Sequence, residues 1–519
     1  MAKQRFTQFL ADLDQPRFGV MFLILFGFVY CFPALQAPFW VGNDAWSNLL
    51  PIIHYRDSIL NNHTLPLYTD LWYGGRDQWA NPLWSFLYAP ATFIYLMTPL
   101  EWGTRIVYFG HLLFTLLAAR KLSSLFLGTE IERISAAILL ASPALPAFTA
   151  GQTEKIMSWG WVLLGLYFLL ENERGVWQKG LLAGLCLGII PITGSNYYAF
   201  YAGILFLSLV ASFKNKKLVT FFILGASIGL MHVPSVLHLI GQSRANAEQS
   251  IQELSLSFAG IFSSLSIGLA NPMGWETWAP VGVPVIYLLF KKLFLKIKKR
   301  SIFTPLEKSL IFSLIIFVLL TTSLAYQGHH LLDSFRVPAR AIAFIALVVT
   351  LFVLTAQTRA EKTKPEILLV LSALQVGILS FMIQPYGAVY GPHDSQAQTL
   401  ADILKADDAR SVWISMRELN DMYIQTVLNQ NGIALPNVYY GDMGQEVKIM
   451  GNHCGYSFDH LIALAPGTGD SVELKADMEW SDTKGEISLN DLYLLDQVTI
   501  HNIDYHVYRV LCDSQTSLR

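Results

Sequence analysis

Residues 38–46 read PFWVGNDAW, and residues 65–90 read LPLYTDLWYGGRDQWANPLWSFLYAP. This polar, tryptophan-rich stretch stands between the first apolar run of membrane length and all the later ones, so it reads as a large loop at a membrane surface. Within it, Asp44 lies between Trp40 and Trp46. A carboxylate at that depth suits a general base that keeps its charge in a partly desolvated site and takes a proton from a hydroxyl. The competing reading is a capping residue for a helix that starts AWSNLLPIIHYRDSIL, because Asp is among the preferred N-caps.

Outward from this loop the class is set by composition. Hydrophobic residues make up 53% of the 519 and charged residues only 14%, with a mean hydropathy of +0.41, a balance that excludes a soluble globule. Apolar runs begin near Phe18, Thr104, Ile134, Met157, Leu181, Tyr197, Leu218, Val281, Ser309, Arg340 and Ile367, giving about eleven crossings. The expected fold is therefore a polytopic α-helical membrane protein.

Loop charge gives its orientation, since Lys and Arg near helix ends stay in the cytoplasm. Lys3, Arg5 and Arg17 place the N-terminus inside, and the basic groups at Arg120, Arg174, Lys214, Lys291–Arg300 and Arg359 fall in alternate loops. The segment Leu83–Thr98 would break that alternation if it spanned. It is short and carries Pro90, so it reads as re-entrant or interfacial. Residues 36–98 then form a large first extracytoplasmic loop of a transmembrane domain covering residues 1–383.

Residues 384–519, where apolar runs shorten, read as a soluble extracytoplasmic α/β or α+β domain. Helices are expected over 396–404 and 419–431, and strands over 411–415, 437–440, 460–465 and 505–510. Cys31 and Cys186 lie in apolar runs and read as small core residues, whereas Cys454 and Cys512 either pair outside the cell or stay as buried thiols. The run KKLFLKIKKR from Lys291 reads as a topology determinant against anionic lipid. No feature points to nucleic acid.

Three further clusters carry polar chemistry. His54 and Asp57 are three residues apart on the expected helix, and Asp70, Arg76 and Asp77 flank the Gly74-Gly75 turn. GQTEKIMSWGW places Glu154 and Lys155 at the start of a crossing, and YQGHHLLDSFRVPARA brings His329, His330, Asp333, Arg336 and Arg340 to an outer loop. Two arginines four residues apart match one anion, because guanidinium forks fit phosphate oxygens. On an extracytoplasmic loop they also run against the charge bias.

Together, GNDAW, LPLYTDLWYGGRDQWANPLWSFLYAP, GQTEKI and FRVPARA resemble the GT-C class of integral membrane glycosyltransferases, and within it the YfhO-like bacterial branch. The resemblance spans Asp44 to Ala341 and implies a GT-C-like fold in the cytoplasmic membrane. The implied donor is a polyprenyl-phosphate sugar, the acceptor an extracytoplasmic glycan or lipid of the cell envelope. The loop acid becomes Asp44 as base, and the Arg-x-Pro-x-Arg segment becomes Arg336 and Arg340 on the donor phosphate, joined by Lys155 or His330. Asp70, Asp77, Arg76 and His54 are left as a second acid or as acceptor-binding groups.

The sequence departs from the class in two places. Asp44 has no acidic neighbour where many members of the class carry paired acids, which counts against a bound divalent metal unless Asp70 or Asp77 completes the pair, and Gly151-Gln152 stands where relatives often carry Gly-His. The rival readings are a polytopic transporter or lipid flippase, and a non-catalytic scaffold of the same fold.

Overall fold

The structure is a computed structural model that describes residues 15–36, 45–69, 76–79, 85–145, 152–234, 255–267, 279–298, 302–322, 338–355, 365–383, 395–410, 412–415, 459–464, 471–475, 484–488, 492–500 and 503–511, together with 324, 428, 431 and 433. A helix lies at or beside each of the apolar runs. In chain order the helices are α1 (Pro16–Gln36), α2 (Ala45–Leu60), α3 (Ala89–Met97), α4 (Leu100–Ser123), α5 (Glu130–Ala141), α6 (Thr153–Leu170), α7 (Val176–Ile192) and α8 (Asn196–Ser212). There follow α9 (Lys216–Ala226), α10 (Phe258–Ile267), α11 (Val283–Lys298), α12 (Pro305–Thr321), α13 (Ile342–Thr355) and α14 (Pro365–Ile383).

Among the described residues one stretch, Trp102–Ser123, is long and apolar enough by itself to cross a membrane, and five shorter apolar helices accompany it. Pro90, expected to interrupt its segment, instead falls in the first turn of α3, where proline's missing N–H costs nothing. The resulting nine-residue helix rises about 13 Å, too little to span.

The helix starts are written in the sequence. Thr129 with Glu132 and Thr304 with Glu307 form reciprocal capping boxes at α5 and α12, and Asn215 caps α9.

Three buried glutamates then gather the basic residues that set the expected orientation. Glu130 pairs with Arg120 and Arg133, Glu171 with Arg174, and Glu307 with Lys292 and Lys296. Lys292 also donates to the Phe352 carbonyl at the end of α13. Two lysines of the run from Lys291 therefore turn inward and tie α11, α12 and α13 together, which differs from the expected role against lipid. Burial pushes the Glu307 carboxyl up, but the hydrogen bond from Lys296, the Thr304 backbone N–H and the Lys292 charge outweigh it and hold it below the usual range.

Helices α7 and α9 meet backbone to backbone. A Cβ on Gly184 would overlap the Phe222 carbonyl, and one on Gly225 the Leu181 carbonyl; Gly180 and Gly188 sit one turn to either side against the same partner. This four-residue glycine spacing is the device by which membrane helices pack closely without a hydrophobic driving force.

Residues 279–282, directly before α11, are buried and irregular, and Gly282 takes a φ of +83°. The N–H groups of Val281 and Gly282 donate to the Leu265 carbonyl. Ser142 donates to Pro280 O at 2.9 Å, Gln375 bridges Ser266 O and Val283 N at 2.9 and 3.1 Å, and Ser372 accepts from Val285 N at 3.1 Å. These side chains supply the partners that buried irregular backbone requires.

Besides a short ribbon of β1 (Tyr68–Thr69) and β2 (Arg76–Asp77), the described strands lie in the tail, where α15 (Ser395–Ala406) accompanies a mixed four-stranded sheet of β3 (Val412–Ser415), β4 (His460–Leu464), β8 (Ile503–Val510) and β7 (Leu492–Ile500) in that order. β3 and β4 are parallel and the other pairs antiparallel, and β5 (Ser471–Lys475) with β6 (Lys484–Ser488) forms a separate hairpin. The expected elements at 419–431 and 437–440 lie almost wholly outside the described residues, as do Cys454 and Cys512. Cys31 and Cys186 are free and buried, as expected.

Candidate functional site

Side chains of three helices meet in one aromatic layer. Trp159 of α6, Tyr198 of α8 and Phe344 of α13 contact one another pairwise, with ring centroids 5.2–5.5 Å apart and edge-to-face geometry. The three helices run in one direction. Helix α8 crosses α12 through Tyr201–Phe317 and Ser208–Ser313, and α13 crosses it through Phe344–Phe317 and Phe352–Phe303, so both are antiparallel to α12. Helix α6 follows α8, since Trp159 meets Tyr198 and, further along both, Gly165 makes room for the Phe206 ring.

All three helices therefore begin on the same side of the layer. Lys155 stands one turn before Trp159, and Arg340, in the 3-10 turn Pro338–Ala341 that leads into α13, stands one turn before Phe344. Two of the expected phosphate ligands thus rise from one level on neighbouring helices. Lys155 is 3% exposed, and the half-buried Arg340 lies with its guanidinium carbon 4.4 Å from the Tyr197 ring centroid.

The floor around them is polar and buried: Gln152, Thr153, Thr193, Ser195 and Asn196. The hydroxyls of Tyr108 and Thr153 are 3.0 Å apart, and Thr193 Oγ1 reaches the Glu154 carbonyl at 3.4 Å, which holds the first turn of α6 from two sides. A helix start carries partial positive charge and favours an acid, which α6 has in its first turn as Glu154. Lys155 and Arg340 add two cations over three converging helix starts, and this excess of positive charge makes a place for an anion.

The first loop is seen in part. His54 and Asp57 of α2 lie in different environments: His54 is buried, while exposed Asp57 accepts from the Asn61 and Asn62 side chains at 2.7 and 3.0 Å. Arg56 donates to the Thr98 carbonyl at 2.5 Å and so closes the end of α3. Arg76 and Asp77 pair their backbones with Tyr68–Thr69 as a two-residue antiparallel ribbon, and the Trp79 indole donates to Met231 O at 3.2 Å. Helix α2 begins at Ala45, directly after Asp44. Asp44, Asp70, His330 and Arg336 lie outside the described residues, as do the side chains of Arg76 and Asp77.

Sequence reasoning passed over Tyr108, Thr193, Asn196 and Tyr197. The available signal was GSNYY at 194–198, a polar break between two apolar runs.

No protein-family model and no curated protein matches the sequence. Among solved structures the chain is similar to the arabinofuranosyltransferase AftD from Mycobacteria, with a TM-score of 0.51 at 13% identity over 96% of this chain and 41% of that one. It thus spans under half of that protein's length. Weaker likenesses are to the Archaeoglobus fulgidus oligosaccharyltransferase (TM-score 0.44, 12% identity, 86% of this chain and 68% of that one) and to ArnT from Cupriavidus metallidurans (TM-score 0.46, 12% identity, 94% and 97%). The first likeness, at 13% identity, is one of fold alone: the chain shares the fold of that arabinofuranosyltransferase over 96% of its length.

Proposed function

We propose that the protein is a membrane glycosyltransferase of the YfhO-like branch of the GT-C class, moving a sugar from a polyprenyl-phosphate donor to an extracytoplasmic glycan or lipid of the cell envelope. The observation that supports this most is the common start of α6, α8 and α13, where Lys155 and Arg340 join three positive helix ends. A lipid phosphate is the anion that a membrane-embedded site of this kind suits.

In this reading the acceptor hydroxyl attacks the anomeric carbon and gives its proton to Asp44, placed just ahead of α2. The bond from the anomeric carbon to the phosphate oxygen breaks, and polyprenyl phosphate leaves with the electron pair. Lys155 and Arg340, joined by Arg336 and His330, stabilise the charge that grows on it. Asp70, Asp77, Arg76 and His54 belong to the acceptor side or supply a second acid. The site faces outward, with the N-terminus in the cytoplasm and residues 384–519 outside.

The test is sugar transfer by the purified protein in lipid across a panel of synthetic polyprenyl-phosphate sugars. Asp44→Asn is expected to lower kcat by about 10²-fold or more while the donor KM stays within about twofold. Full activity in Asp44→Asn would move the base to Asp70 or Asp77, and no transfer from any donor would contradict the enzyme. A transporter is the second reading, favoured by the buried non-helical backbone at residues 279–282; movement of an intact lipid-linked sugar across vesicles without transfer would support it.

A further inference from the structure

The first turn of α8 carries no motif, yet Tyr197 there supports one of the two cations of the site. Neighbouring residues on a helix point about 100° apart, so while Tyr198 enters the aromatic layer with Trp159 and Phe344, Tyr197 turns toward Arg340. We propose that Tyr197 is a positioning residue for the donor phosphate: its ring holds the guanidinium of Arg340 in place, which keeps that positive charge at the common start of α6, α8 and α13, where a polyprenyl phosphate would bind.

The Arg340 guanidinium carbon lies over the Tyr197 ring, 4.4 Å from its centroid. An aromatic ring attracts a guanidinium without neutralising it, and so fixes where the positive charge stands. Arg340 lies in the 3-10 turn Pro338–Ala341 that leads into α13, so the turn sets its backbone and the ring acts on the side chain. The inference rests on the donor site proposed above.

The experiment measures binding of a synthetic polyprenyl phosphate without a sugar to the full-length protein in zwitterionic nanodiscs, with Tm recorded for each variant. Tyr197→Leu keeps an apolar side chain but loses the ring and its quadrupole, and is expected to weaken binding roughly fivefold or more with little change in Tm. Tyr197→Phe, which keeps the ring and loses only the hydroxyl, is expected to bind like the wild type, and Tyr197→Trp at least as tightly. Wild-type affinity in Tyr197→Leu, or weak binding by a folded Tyr197→Phe or Tyr197→Trp, overturns the role. If Arg340→Ala weakens binding and Tyr197→Leu does not, the phosphate site stands and the inference alone falls. If the wild type does not bind the lipid phosphate, both fall.

Discussion

Lys155 is a cation buried to 3% exposure in the first turn of a helix, where both desolvation and the helix dipole oppose a positive charge. Residues kept against stability in this way belong to function more often than to packing. Lys155→Met is accordingly expected to leave Tm unchanged or raise it while weakening binding of a polyprenyl-phosphate donor by roughly ten- to a hundredfold, the span of one charge-assisted hydrogen bond. Thermal unfolding and donor titration on the same preparation check it, and a fall in Tm with unchanged affinity would make Lys155 a structural residue. Arg340→Lys is expected to bind donor poorly as well, because an ammonium has no planar fork to match phosphate oxygens and stacks less well over the Tyr197 ring than a guanidinium. The sequence made Lys155 and Arg340 legible through their motifs. It hid Tyr197, whose meaning depends on a partner in another helix far along the chain.

At the scale of the element, the helices were legible because an apolar run of sufficient length has few other uses in a chain of this composition. Their packing was less so. The spacing of Gly180, Gly184 and Gly188 is visible in GLLAGLCLG, but only the facing backbone of α9 shows what it is for. Gly184→Val is expected to force α7 and α9 apart and to lower Tm by several degrees, with a loss of about 2 kcal/mol or more; an unchanged Tm would contradict the close contact. Glu307→Gln is expected to cost about 1–3 kcal/mol by leaving Lys292 and Lys296 together without their counter-charge, checked by thermal unfolding. Since the Glu307 carboxyl is held below its usual range, its contribution is present above the ordinary carboxylate range and lost as pH falls through the lowered value. In the tail, β7 escaped notice because LYLLDQVTI does not alternate cleanly: its pairing with β8 shifts register between Leu494 and Asp496, which breaks the period of two.

For the whole molecule, the proposed site requires α6, α8 and α13 to start at the outer face. Lys405→Cys on exposed α15 and Lys214→Cys in the exposed turn between α8 and α9, each in a cysteine-free background, test that topology. A membrane-impermeant thiol reagent added to intact cells is expected to label the first at once and the second only after permeabilisation, and the reverse pattern would invert the site. The mainly helical fold was readable from composition, whereas the convergence of three helix starts was not, because no local pattern states which helices are parallel neighbours. The most direct measurement is a cryo-electron microscopy map of the protein in nanodiscs with a polyprenyl phosphate. Phosphate density is expected within hydrogen-bond distance of both Lys155 and Arg340, at the common start of α6, α8 and α13. Phosphate density elsewhere, for instance beside Lys292 and Lys296 at the opposite end of the bundle, would contradict the proposed site.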